Sequence, residues 1–116
     1  MPPTLADRVS HVLEAIERIE RALAGKTRAD FEGEILLRLA VERLLEIVCE
    51  AARHIPAAVK TAEPSIAWTT MTDFGNRLRH AYHTIDVGIV WQIVQNDLPP
   101  LKAFVERIIR EQSGPA

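Results

Sequence analysis

The sequence FEGEILLRLAVERLLEIVCEAAR, residues 31–53, decides the fold class of this protein. Its apolar side chains recur every three or four positions, which is the spacing of one face of an amphipathic helix. Thr27 and Asp30 stand just before it and can cap a helix N-terminus. We therefore predict a long central helix from about Phe31 to about Arg53. The apolar pattern consists of Phe31, Ile35, Leu36, Leu39, Leu44, Leu45 and Val48.

The N-terminal segment predicts a second amphipathic helix, over residues 5–23, because its apolar residues have the same helical spacing. Thr4 is followed three residues later by Asp7, which is an N-capping arrangement. Gly25 then ends this helix.

The middle of the chain connects the central helix to a third one. Pro56 and Pro64 bracket a stretch that can hold at most a turn or two of helix. Ser65 is then expected to cap the next helix, which the apolar spacing extends from Trp68 to about His83.

The C-terminal segment predicts two more helices. Asp86 is expected to cap the first, and Asn96, Asp97 and the pair Pro99-Pro100 are expected to break it and start the last one. The sequence DVGIVWQIV, residues 86–94, is apolar on nearly all sides of a helix. Such a helix is either central or lies at a subunit interface, so we expect a homodimer.

No stretch of the chain shows the two-residue alternation of a strand. The predicted fold is therefore all-α, an up-and-down bundle of four main helices plus a short helix. A length of 116 residues allows one core, so residues 1–116 should form a single domain.

The composition excludes several classes of protein. Fourteen basic against sixteen acidic side chains give a net charge of −2, which argues against coating duplex DNA by bulk charge. The chain has no long apolar run and no secretory signal, so we expect a cytoplasmic protein that is not in a membrane. Its single cysteine, Cys49, is expected to be a small buried hydrophobe.

One segment carries chemistry, GNRLRHAYHTID at residues 75–86. On an ideal helix, one polar arc would hold Asn76, Arg77, Arg79, His80 and His83. A histidine that titrates near neutrality beside planar guanidinium groups can move a proton and bind a phosphate. This set suits RNA cleavage without a metal, although a solvated helix face has a similar composition.

Two other side-chain groups permit alternative interpretations. His80, His83 and Asp86 could be drawn as a metal site, but Asp86 is needed as a cap, so we expect no metal and no cofactor. The carboxylates of Glu42, Glu46 and Glu50 form a row that fits a solvated face, or a surface complementary to a basic partner.

The sequence GNRLRHAYHTIDVGIVWQIVQNDLPPL, residues 75–101, closely resembles the signature region of the HepT-like branch of the HEPN superfamily. The resemblance implies a homodimeric all-α toxin whose two motifs meet in a cleft and cleave RNA, such as tRNA or mRNA, without a metal. It also implies an MNT-type nucleotidyltransferase antitoxin as partner, in a type II system. The family's polar residue matches Asn76, its histidine His80, and its tyrosine, which the partner modifies with AMP in some members, Tyr82.

The sequence departs from this family at Gly75, where the pattern has an arginine. Arg79 is the better substitute because it lies four residues along, on the same helical stripe, and helical side chains lean toward the N-terminus. Arg77 is the weaker candidate, although it lies three residues from His80. His83 would supply a secondary RNA contact. The alternative is a catalytically inactive HEPN subunit that binds or regulates a nucleotidyltransferase.

Overall fold

The computed structural model of the protein describes residues 3–113, without the side chains of Tyr82 and Ser113. Within that range it contains helices and no strand, which confirms the all-α prediction. No helix there is both long enough and apolar enough to cross a bilayer. The helices are α1 (Leu5–Leu23), α2 (Arg28–Gly33), α3 (Ile35–Arg53), α4 (Ala57–Thr61), α5 (Trp68–His80), α6 (Val87–Gln92) and α7 (Leu98–Ser113). A 3-10 turn covers Tyr82–Thr84, and a π-helical segment, Ile93–Asp97, joins α6 to α7.

Helix α3 lies in the centre of the bundle, packed against α1 on one side and α5 on another, while α1 also packs against α7. The segment from α6 to α7 forms the fourth long unit, so four main units make the bundle, as predicted. Their apolar faces form one core. Its largest fully buried side chains are Val9, Val12, Ile16, Ile19, Phe31, Val41, Leu45, Val48, Met71, Val90, Leu101 and Val105.

The predicted cap of α1 is present. Thr4 Oγ1 accepts a hydrogen bond from the backbone N–H of Asp7 at 3.1 Å, and the Asp7 carboxylate accepts one from the Thr4 N–H at 2.8 Å. The backbone hydrogen bond from Thr4 is the main cause that lowers the pKa of Asp7. These bonds satisfy N–H groups that a helix N-terminus otherwise leaves unpaired.

The predicted central helix is wrong at its N-terminal end, because the chain breaks at Glu34 into α2 and α3. Glu34 has extended backbone angles (φ −108°, ψ 96°), and Lys26 Nζ contacts its carboxylate at 3.2 Å. Thr27 and Asp30 form a capping box on α2 rather than on the long helix. The break lets α2 turn so that the fully buried ring of Phe31 packs against the ring of Trp91, with 5.6 Å between the ring centroids.

Helix α5 begins at Trp68, as predicted, but its N-cap residue and its C-terminal end differ from the prediction. Ala67, not Ser65, is the N-cap residue, and no side chain caps this end. The helix ends at His80 instead of about His83, because Ala81 leaves helical geometry (φ −140°, ψ 41°).

The predicted break before the last helix is wrong, since the chain continues through a π turn. The N–H of Leu98 bonds to the carbonyl of Ile93, five residues back. Pro99 and Pro100 have no N–H, and their rings would clash with carbonyls one turn back in a regular α-helix, so the wider π turn accommodates them. The predicted cap of α6 is confirmed, since Asp86 Oδ1 accepts the Gly88 N–H at 2.7 Å.

A close contact between helices α3 and α5 positions the site. Gly75 is buried there, and a Cβ atom built on it would lie only 2.7 Å from the Cβ of Cys49. Cys49 is itself buried, and burial is the main cause that raises the pKa of its thiol to about 12. This confirms Cys49 as a packing residue and leaves no room for a side chain at position 75.

Replacing Gly75 by alanine should therefore lower the free energy of unfolding. Overpacking costs about 1–3 kcal/mol, which exceeds the gain of about 1 kcal/mol in helix propensity, and Cys49 Cβ cannot move without its backbone. Urea denaturation of Gly75→Ala measures the effect. Gly33→Ala is the control, because nothing lies within 4 Å of a Cβ at Gly33. Equal stability of the two variants would contradict the close approach.

Candidate active site

The polar residues of the motif lie at the C-terminal end of α5. Asn76, Arg77 and His80 are exposed, whereas Gly75 and Leu78 are buried. The helix therefore has the two faces that its spacing predicts, as far as His80. Gly75 faces α3, so the position at which the family pattern has an arginine is part of the packed interior.

Arg79 is held on two sides by its own chain. Its Nη1 donates to Glu50 Oε2 at 2.7 Å, and its Nη2 donates to Asn76 Oδ1 at 2.5 Å. The side chain is only 26% exposed. Since Gly75 contacts Cys49 and Arg79 contacts the next residue of α3, Glu50, both residues lie on the stripe of α5 that faces α3.

Glu50 is a site residue that the sequence does not reveal. Besides Arg79, Arg53 Nη2 and His54 Nε2 each lie 3.1 Å from its carboxylate. Partial burial tends to raise the pKa of Glu50, but hydrogen bonds with His54 and Arg53 and the charges of Arg53 and Arg79 hold it below its ordinary value. Glu50 is thus neither simply solvated nor open to a basic partner, because its own chain supplies the positive charge.

Arg77 points to a different part of the molecule. Its Nη2 donates to the carbonyl oxygen of Thr84 at 3.2 Å and lies 3.4 Å from Thr84 Oγ1. Thr84 Oγ1 donates in turn to the carbonyl of Ala81 at 2.7 Å. These contacts fasten the 3-10 turn to the end of α5.

Two of the open grooves beside α5, in the part of the chain that the structure describes, differ in charge. The first, the α1–α3 groove, has a volume of about 380 Å³. The second, the α5–α6 groove, has about 410 Å³. The α1–α3 groove is lined by Arg8, His11, Arg43, Glu46, Ile47, Glu50, Ala51, Arg53 and Arg79. The α5–α6 groove is lined by Thr70, Asp73, Phe74, Arg77, Ile89, Gln92, Ile93, Asn96 and Asp97.

The three remaining predicted residues are placed differently from one another. His80 is exposed and makes no side-chain hydrogen bond with the described part of the chain. His83 is exposed as well, but it follows the end of α5, so it does not continue the polar arc as predicted. The side chain of Tyr82 lies outside the described residues; its backbone starts the 3-10 turn.

The described residues contain no group of three or more histidine, cysteine, aspartate or glutamate side chains arranged to hold a metal ion. Asp86, the third residue of the alternative metal set, is engaged in capping α6. The chemistry gathered at the end of α5 is therefore that of imidazole, guanidinium and amide groups.

This arrangement, a helical bundle with a histidine and arginines at the end of one helix, agrees with the comparison to known families. A family model described as Ribonuclease HepT-like matches residues 12–108. The chain belongs to the HepT-like ribonuclease family.

Individual relatives support the same assignment. A protein of Thermococcus cleftensis named "Probable ribonuclease HepT" is 36% identical over 102 residues, which are 88% of this chain and 93% of that protein. A Methanocaldococcus jannaschii protein, named as a gamma-glutamylcyclotransferase and candidate RNase, is 33% identical over 103 residues. Those residues are 89% of this chain but only 46% of that protein. No solved structure matches the chain significantly.

Proposed function

We propose that the protein is an endoribonuclease that cleaves RNA without a metal ion, with His80 as the proton-transfer group and Arg79 as the phosphate-binding group. Membership of the HepT-like ribonuclease family supports the activity. The observation that carries the residue assignment is the placement of Arg79 on the Gly75 stripe, at the edge of the cationic α1–α3 groove.

The proposed reaction needs His80, Arg79 and a solvent water molecule, and no metal ion. The ribose 2′-oxygen attacks the adjacent phosphorus, the bond from phosphorus to the 5′-oxygen breaks, and a 2′,3′-cyclic phosphate forms. The 2′-hydroxyl loses a proton and the 5′-oxygen gains one. His80, an exposed imidazole, serves one of these transfers, and a solvent water molecule serves the other. The guanidinium of Arg79 stabilises the charge on the phosphate.

The surroundings of the two arginines favour Arg79 over Arg77. Four arginines and two glutamates line the α1–α3 groove, which contains Arg79. The α5–α6 groove, which contains Arg77, has that one arginine against Asp73 and Asp97. A phosphate diester is attracted to the first groove and repelled by the second. Arg77 is better explained as the clamp on Thr84.

Asn76 and His83 have secondary parts in this proposal. The Asn76 amide oxygen accepts from Arg79, so Asn76 orients the guanidinium, while its exposed amide group can also contact the substrate. His83 is exposed beyond the end of α5, where it can contact a neighbouring part of the RNA.

Substitutions at the motif test the proposal directly. His80→Ala should lower the rate of RNA cleavage by about 10²–10⁴-fold, the usual contribution of a general acid or base. Arg79→Gln should lower it by about 10²–10³-fold, as expected for loss of one group that stabilises developing charge. Cleavage of a labelled RNA in the presence of EDTA is the measurement.

Arg77→Gln and Arg18→Gln are the matched controls. Arg18 lies on α1, outside both grooves, and pairs with Glu14. Both variants should cleave within a few-fold of the unmodified chain, provided that circular dichroism shows an intact fold. Full activity of both Arg79→Gln and Arg77→Gln would overturn the assignment of the phosphate-binding group.

We further propose that the protein acts as a homodimer, with the cleavage site in the cleft between two copies. Exposed apolar side chains support the self-association, and the family resemblance supports the cleft. Leu36 is 78% exposed, and Ile35 and Leu39 on the same helix and Ile89 on α6 are exposed as well. Apolar residues clustered on a surface are typical of interaction sites. They lie mainly on α3, whereas residues 86–94, which the sequence suggested for an interface, are partly buried within the monomer.

Leu36→Glu should therefore weaken self-association, because a charged side chain would be buried at the proposed interface. Sedimentation velocity should show a dimer for the unmodified chain and a monomer for the variant at the same concentration. Ala103→Glu, at an exposed position on α7, is the control and should remain dimeric. A dimeric Leu36→Glu, or a monomeric unmodified chain, would refute this interface.

We also propose that the protein is the toxin of a type II toxin–antitoxin system in the cytoplasm, silenced when an MNT-type nucleotidyltransferase transfers AMP to Tyr82. The position of Tyr82 supports this, since it directly follows the motif helix and starts the turn that Arg77 fastens. An added phosphate and nucleoside would bring bulk and negative charge to a residue two positions after His80, which would repel anionic RNA.

Expression of the chain without its partner should arrest growth, and co-expression with the nucleotidyltransferase should restore it. Mass spectrometry should then find one AMP on Tyr82. Tyr82→Phe, which lacks the acceptor oxygen, should remain toxic in the presence of the partner. Rescue of growth with an unmodified Tyr82 would contradict silencing by AMP.

A second function is a catalytically inactive subunit that binds or regulates the nucleotidyltransferase. The loss of the family's arginine at Gly75 favours it, as do the bonds that Arg77 and Arg79 make within the chain. Cations in the last turn of α5 also stabilise the helix end, which is a structural role. Absence of both growth arrest and RNA cleavage in the unmodified chain would support this second function.

A further inference from the structure

We propose that the α1–α3 groove binds a backbone phosphate of the RNA strand next to the one that is cleaved. The inference rests on the proposed ribonuclease function and extends its substrate site onto α1 and the outer side of α3. Neither helix contributes to the motif from which the family was recognised.

Arg8 is the residue that most clearly calls for a ligand in this groove. It is half-buried on α1, and it forms no ion pair and no side-chain hydrogen bond with any residue of the described chain. Its charge is the weakest of the causes that lower the pKa of the adjacent capping residue Asp7. His11, three residues on, lines the same groove from the same face of α1. A half-buried guanidinium with unused donors suits a phosphate oxygen.

The acidic residues of the groove do not cancel its positive charge. Arg43 Nη1 pairs with Glu46 at 2.6 Å, and Glu50 is surrounded by Arg53, His54 and Arg79. Arg8 is left as positive charge in excess. The protein as a whole carries −2, so this groove is a local reversal of the overall sign.

The groove also has apolar lining, which Ile47 and Ala51 supply. A wall of low dielectric strengthens the attraction between a cation and a phosphate, and it can also contact a ribose or a base. A nucleotide offers this combination of an anion and an apolar surface.

Arg79 connects the groove to the cleavage site. It is the one residue of α5 among those that line the groove, and it is followed directly by His80. A strand whose cleaved phosphate lies at Arg79 and His80 can therefore continue into the groove toward Arg8.

Binding of a single-stranded, 5′-fluorescein-labelled RNA tests the groove separately from cleavage. The parent is the full chain with His80→Ala, which keeps the RNA intact, and fluorescence anisotropy is followed over a range of KCl concentrations. Arg8→Gln should weaken binding about fivefold and reduce the slope of log K against log salt by about 0.7, the contribution of one phosphate contact on a single strand. Arg18→Gln, on the same helix outside the groove, should bind like the parent.

Two more variants separate charge from structure. Arg8→Lys keeps the charge and should retain most of the salt slope, and Glu46→Gln, which releases Arg43, should tighten binding. Glu14→Gln, outside the groove, is the control for the second change. The groove proposal is wrong if Arg8→Gln binds RNA with the same affinity and the same salt dependence as Arg18→Gln. It is also wrong if Arg8→Lys weakens RNA binding as much as Arg8→Gln does.

The outcomes also distinguish this proposal from the ribonuclease itself. One outcome is that RNA binding depends on Arg8 while the chain with His80 intact cleaves no RNA. This result would overturn the ribonuclease function and support the groove. Cleavage with binding that is independent of Arg8 would overturn the groove alone. If the parent binds no RNA, the groove proposal also fails. It fails as well if Arg8→Gln weakens the binding of an acidic protein partner but leaves RNA binding unchanged.

Discussion

The close packing of α5 on α3 at Gly75 and Cys49 is the constraint on which the site depends. Because Gly75 has no side chain, the backbone of α5 can lie directly on the Cβ of Cys49. One turn later Arg79 then reaches Glu50, the residue after Cys49, at 2.7 Å. A side chain at position 75 would push the helices apart and lengthen that contact. The glycine that replaces the family's arginine therefore also determines where the second arginine lies.

Much of the fold could be predicted from the sequence because its signals are local. The capping box of Thr4 and Asp7 and the cap at Asp86 need only residues two or three positions apart. The helix breaks at Glu34 and Ala81 could not be predicted in this way. In the first case the burial of Phe31 against Trp91 outweighs a continuous helical pattern, and that contact joins residues far apart in the sequence.

The same distinction between local and long-range signals applies to the residues of the candidate site. Asn76, Arg77, Arg79 and His80 could be found because they lie within one short segment of one helix. Glu50 could not, since it stands 29 positions from Arg79 and its neighbours suggest an ordinary solvated row. The assignment of His83 to the polar arc assumed a helix that continues, and the chain leaves helical geometry two residues before it.

The net charge of −2 conceals a separation of charge across α5. On one side the four arginines of the α1–α3 groove outnumber its glutamates, and on the other Asp73 and Asp97 outnumber Arg77. Burial raises the pKa of Asp97, whereas Asp73 is exposed, and the second groove is negative when both carboxylates are ionised. A polyanion that approaches the end of α5 is therefore attracted to one side and repelled from the other. In the proposed enzyme this difference would orient the RNA strand along Arg79, so a chain with no overall positive charge can still direct a nucleic acid to one side of its histidine.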